Sequence, residues 1–135
     1  MDISLLSLII GLAAGVFGYW FTTFNMQPIL RFRDIRNQVL MDFIYFAQVI
    51  NAEKLNEEMK SLHRERIFSN RRTSSQLTAA IQDLPKWYLV YLKFKGYRPE
   101  EAARHLIGYS NATEYAQAYK VEAAIRKKLG LPEET

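Results

Sequence analysis

The sequence predicts an all-α protein, with one N-terminal transmembrane helix followed by a cytoplasmic bundle of four to six helices. Three observations predict it. Ile3 to Phe24 contains no charged residue. Beyond it, apolar residues return every three or four positions, the period of a helix. No stretch alternates apolar and polar residues between hairpin turns, as a half-buried strand would.

The first element reads ISLLSLIIGLAAGVFGYWFTTF. At 1.5 Å per residue, about 22 residues make a helix of roughly 33 Å, enough for a hydrocarbon layer of about 30 Å. Tyr19 and Trp20 sit toward one end, where amphipathic rings favour the interface. A cleaved signal peptide is a poorer fit, because position 2 is Asp rather than a basic residue and the apolar run continues through Phe17, Tyr19, Trp20 and Phe21. Gly11 with Gly15, and Ala14 with Gly18, form two small-xxx-small pairs that would let a second membrane helix approach closely. Residues 1–27 are therefore expected to be an anchor and residues 28–135 a helical domain.

The charge distribution predicts the orientation. Of the 135 residues, all 18 basic ones lie beyond Phe24, whereas Asp2 precedes it. Arg31, Arg33 and Arg36 lie closest to the apolar run. The positive-inside rule then places the domain in the cytoplasm and the N-terminus outside, and these arginines are candidate contacts for lipid headgroups. The mean hydropathy of −0.17 averages the two parts and describes neither. With no cysteine, the composition excludes a disulfide framework, a thiol nucleophile and a Cys-ligated metal.

The helices of the domain come next in order. Pro28 suits a first helical turn, and the helix it opens is a candidate continuation of the membrane helix with a bend at Pro28. Phe32, Ile35, Val39, Phe43, Phe46 and Ile50 recur at gaps of three and four, giving an amphipathic helix from Pro28 to Ile50 whose stripe is a candidate partner face. Asn51 is a candidate N-cap for a helix carrying Leu55, Met59 and Leu62, with Arg66 among its outward polar residues. Ser69 to Ser75 reads as a loop. Leu77, Ala80, Ile81 and Leu84 mark the next helix. Pro85 opens an aromatic one, Trp87 to Phe94, which Gly96 ends in a left-handed cap. Its Trp87, Val90 or Tyr91, and Phe94 share one face and are expected in the core; nucleobase stacking and the membrane interface are the other readings. Pro99, Glu100 and Glu101 start a helix that Gly108 stops. Asn111 to Glu114 resembles a capping box, and the last helix ends at Leu129 with Arg126, Lys127 and Lys128 at its negative end.

Chemistry is sparse. The turn Gly108-Tyr109-Ser110-Asn111 has helix-turn-helix length, but the helix after it begins at Ala112 with Glu114 in its first turn and no Lys or Arg before Lys120, so DNA is not an expected partner. His63 and His105 are the only histidines, and no metal set accompanies them. No cofactor is implied, and there is no phosphate-binding glycine loop. Arg98-Pro-Glu-Glu-Ala-Ala-Arg-His105 resembles the R-x4-6-H pattern of HEPN ribonucleases, small all-helical domains that dimerise to join two copies of the motif. That resemblance implies Arg98 and His105 as catalytic residues acting on RNA. Pro99 departs from the family pattern, and Glu100 and Glu101 would repel a phosphate.

The segment Leu84 to Leu131, most distinctively Ala102-Ala103-Arg104-His105-Leu106-Ile107-Gly108-Tyr109-Ser110-Asn111, resembles the C-terminal half of small, uncharacterised bacterial single-pass membrane proteins. The resemblance implies a bacterial inner-membrane location and no particular activity. The architecture is also similar to that of the membrane accessory proteins of RNA-targeting CRISPR systems. The expectation is a non-enzymatic interaction protein that assembles with itself or with a larger membrane complex. Membrane lipid and another membrane protein are its expected partners, and a tethered ribonuclease is the alternative.

Overall fold

A computed structural model describes residues 2–47, 56–112 and 115–132. All regular elements among them are helical: α1 (Ile3–Phe21), a π-helical turn (Thr22–Met26), α2 (Gln27–Tyr45), α3 (Glu57–Gln82), α4 (Lys86–Phe94), α5 (Pro99–Ser110) and α6 (Tyr115–Leu129).

The first three run on as one 43-residue rod, Ile3–Tyr45, roughly 65 Å long at 1.5 Å per residue. Asp2 starts it, with its carboxylate accepting from the Ser4 amide at 3.4 Å and the Ser4 hydroxyl at 2.9 Å. A carboxylate at this end also offsets the positive pole of the helix. Pro28 has no N–H to give to the preceding turn and would clash with it. The chain solves this ahead of the proline. The Gln27 amide reaches back five residues to the Thr22 carbonyl, and the wider turn lets the rod continue. Local composition then divides the rod. None of the residues of α1 is buried, and the helix is long and apolar enough to cross a membrane. In α2, Ile29, Phe32, Val39 and Phe43 are buried.

The stripe expected to face a partner is therefore an internal one. Phe32, Val39 and Phe43 are each 1% exposed and belong to the chain's own core; Phe46 is buried and Ile35 packs against that core. The reason is that the domain needs this face: α3 packs along α2, Tyr88 of α4 meets Phe32, and Arg126 of α6 covers Phe43. Ile50 and the Asn51 cap fall outside the described residues.

The loop expected at Ser69–Ser75 is instead the middle of α3, a single helix of 26 residues. Asn56 caps it by accepting from the Met59 amide at 2.8 Å, and Glu57 and Glu58 occupy its first turn. The polar residues read as a loop are its inward face. Asn70, Thr73 and Ser74 are buried, and the Ser74 hydroxyl donates to the Ala103 carbonyl at 2.6 Å. Thr78 and Ser75 return their hydroxyls to carbonyls one turn back, at 2.9 and 3.2 Å. Tertiary packing supplies what intrinsic helix preference lacks here. Small side chains on α3 leave room for α5, which brings Ala102, Ala103 and Leu106 into the core.

α5 does not stop at Gly108 but continues to Ser110, with Asn111 as its C-cap. Residues 113 and 114 of the expected capping box lie outside the described residues. Two glycines do adopt the left-handed conformation, Gly96 (φ 83°) and Gly130 (φ 72°). Gly130 is doubly constrained, because a Cβ there would stand 2.6 Å from the Tyr97 ring. The Arg98 amide donates to the Lys128 carbonyl at 2.8 Å, so the start of α5 is tied to the end of α6.

Candidate functional site

Two places concentrate side-chain chemistry. The first is interior and joins four helices. Arg66 on α3 is fully buried. It donates from Nη2 to the Tyr109 carbonyl at 2.7 Å and from Nη1 to the Ala112 carbonyl at 3.4 Å. A cation thus closes the negative end of α5. Its guanidinium carbon lies 4.5 Å from the Tyr109 ring centre. The Tyr109 ring meets Phe43 of α2 edge-on at 5.0 Å, and Arg126 of α6 covers Phe43 at 5.4 Å. Arg126 pairs with the buried Glu122 at 3.7 Å and donates to the Pro132 carbonyl at 2.7 Å. The result is a cation–ring–ring–cation stack across α3, α5, α2 and α6. Burial pushes the Tyr109 phenol from 10.0 up to about 12, against the opposing pull of Arg66. The phenol therefore stays protonated across the physiological range. Sealed from solvent, this cluster is suited to holding helices together rather than to turning over a substrate.

Sequence reasoning set Arg66 on the outside because a charge is rarely buried. The signal that could have found it is spacing. Leu62, Arg66, Asn70, Ser74, Leu77, Ile81 and Leu84 recur at three and four residues, so the core stripe runs straight through the polar positions.

The second place is the end of the apolar run. Asn25, in the π turn, is buried and accepts from the Trp87 indole N–H at 2.8 Å, across 62 positions of sequence. Phe32 meets Tyr88 edge-on at 6.2 Å, which pins the start of α4 to the rod. Arg31 pairs with Asp83 at 3.6 Å; both are more than half exposed, so the contact contributes roughly 0–1 kcal/mol. Arg33 is exposed, and Arg36 is half-buried. α4 inverts its expected orientation. It packs through Tyr88, Leu89 and Leu92, while Trp87 (53% exposed), Val90 (67%), Tyr91 (46%) and Phe94 (86%) face outward. Beside it opens a cleft of about 360 Å³ whose lining includes Leu89, Val90, Lys93, Tyr97 and Arg98.

Arg98 and His105 do not converge within the chain. Arg98 sits at the N-cap of α5, and its guanidinium lies 3.5 Å from the Glu101 carboxylate. Glu101 is also hydrogen-bonded by the Lys128 ammonium, which above all else holds its carboxyl below the usual range. His105 is exposed two turns further on, about 10 Å along the axis, and does not line the cleft that Arg98 lines. Gly11, Ala14, Gly15 and Gly18 all lie on the exposed surface of α1, and a Cβ added at any of the three glycines would meet nothing within 4 Å. Among the described residues no group of three or more metal-ligating side chains comes together. No family model, no curated protein and no solved structure matches this chain.

Proposed function

We propose that the protein is a single-pass, membrane-anchored, non-enzymatic interaction protein. Its helical domain is held against the cytoplasmic face of a bacterial inner membrane, with the N-terminus outside. It assembles with itself or serves as an accessory subunit of a larger membrane complex. The observation that carries this reading is the continuous rod, Ile3–Tyr45. Its first part has no buried residue, and its second part forms a wall of the domain core. An apolar helix left entirely open needs lipid or other helices around it. Because the helix is not broken on entering the domain, a neighbour that grips α1 also positions α2 to α6. Gly11, Ala14, Gly15 and Gly18 would let such a neighbour come close. Arg31, Arg33 and Arg36 support the orientation.

Purification from native membranes in mild detergent tests the interaction. A mass above that of one chain, or a partner that co-purifies, is expected. A strictly monomeric protein that brings nothing down would overturn the reading. Cleavage of RNA that is lost in His105→Ala, with the fold intact, would replace it with the ribonuclease. Topology is read with Gln117→Cys in a chain that otherwise has no cysteine. The residue should react with an impermeant maleimide only after the cells are opened; labelling of intact cells reverses the orientation.

A further inference from the structure

α4 exposes the residues that a water-soluble helix would bury. Trp87, Val90, Tyr91 and Phe94 fall at spacings of three and four, so they form one strip about 10 Å long. The strip is anchored at a defined level. Its first residue, Trp87, is hydrogen-bonded to Asn25, one position beyond Phe24 at the end of the apolar run. On the rod just before Asn25 lies a second set of rings, Phe17, Trp20, Phe21 and Phe24, all exposed, with neighbouring ring centres 6.1 to 6.4 Å apart. Aromatic rings at the end of an apolar run match the preference of Trp and Tyr for the boundary between hydrocarbon and headgroups.

Charge identifies the occupant. Between Leu84 and Arg98 there is no carboxylate, whereas Lys86, Lys93, Lys95 and Arg98 are all present and exposed. Lys95 holds its ammonium 5.8 Å from the centre of the Tyr91 ring, at the border of the strip. A second copy of the same face would bring like charges together. An anionic lipid surface complements it, with apolar rings in the acyl boundary and ammonium groups among phosphates.

We propose that α4 is an in-plane membrane-docking helix, with Trp87, Val90, Tyr91 and Phe94 entering the bilayer interface and Lys86, Lys93 and Lys95 meeting anionic headgroups. The proposal rests on the reading of α1 as a membrane span. A domain with two contacts, the rod and α4, is held in one orientation, where the rod alone would leave it free to turn about its own axis.

The full-length chain is reconstituted in vesicles of phosphatidylcholine with an equal part of phosphatidylglycerol, and in phosphatidylcholine alone. Because the sequence has no cysteine, Leu8→Cys and Phe94→Cys each carry a single environment-sensitive fluorophore. Both should be quenched by brominated lipid and sheltered from aqueous iodide. The signal at 94 alone should be lost in phosphatidylcholine, and lost again when Lys86, Lys93 and Lys95 are replaced together by Gln. If position 8 is in lipid while 94 is reached by iodide, the docking proposal is overturned and the anchor stands. If 94 is sheltered from both quenchers, protein covers the strip and the proposal is likewise overturned. Quenching at 94 by lipid that is equal in both vesicles overturns the role of the lysines. If iodide reaches position 8, the anchor and the docking helix fall together.

Discussion

α4 and α5 are consecutive helices, each opened by a proline, and they treat their side chains in opposite ways. α4 carries Trp87, Val90, Tyr91 and Phe94 and leaves all four exposed. α5 carries Ala102, Ala103 and Ser110 and buries them with Leu106 and Tyr109. Burial therefore does not track the size of the apolar side chain. It tracks the space between packed helices. Opposite α5, the α3 face offers Asn70, Thr73 and Ser74, which allow a close approach that a tryptophan could not fit. Among the described residues no helix lies across the outer face of α4, so large rings remain there to meet whatever surface adjoins the rod.

The sharpest way to break this comparison is to remove one side chain from each helix. Leu106→Ala leaves a hole in a close-packed core and should cost about 2–5 kcal/mol in unfolding free energy, measured in detergent. Phe94→Ala should change stability by no more than about 0.5 kcal/mol. Equal losses would mean that α4 is as much a part of the fold as α5. A smaller effect comes from adding atoms. Ala103→Leu has no room against α3 and should destabilise by about 1–3 kcal/mol. A neutral result would show that the two helices are less tightly fitted than Ala103 and Ser74 indicate.

Two titrations sharpen the contrast further. Tyr109 has a folded pKa raised from 10.0 to about 12. Its stabilising effect is complete below pH 10 and is lost as the pH rises toward 12, because the unfolded phenol ionises first. Tyr109→Phe keeps the ring between Arg66 and Phe43 and should abolish that part of the alkaline loss; an unchanged alkaline profile would remove Tyr109 from the account. Glu101 behaves in the opposite sense, since Lys128 holds its folded pKa below 4.5. Its contribution is present above pH 4.5 and disappears as the pH falls through the folded value. Glu101→Gln should therefore be slightly less stable than the parent at neutral pH and equal to it in acid. A difference that persists in acid would assign its effect to shape instead of charge.

Much of the helical outline was legible. Pro85 and Pro99 mark helix starts, Gly96 and Gly130 take positive φ, and Arg126 to Lys128 close α6 as a basic last turn. These are local effects that need only a few neighbouring residues. The middle of α3 was misread because Ser, Asn and Thr favour turns when water is the alternative; the Ala103 carbonyl is a partner that only the folded chain supplies. The face of α4 was misread for a related reason. Its period was right, but periodicity names a face and not its direction. Of the candidate site, the rings and lysines of α4 were visible in sequence, whereas the Asn25–Trp87 bond that sets their level was not.

By itself, then, the sequence determined an uncharged run long enough to cross a bilayer, the helical period of the domain beyond it, and the basic residues that come directly after the run. Those properties depend on composition and short-range spacing. Tertiary structure decided that the Phe32–Phe46 stripe closes the chain's own core, that Arg66 lies inside and that Phe94 lies outside. Each of these depends on which surface another segment occupies, and that is settled when the helices compete for the same limited interior.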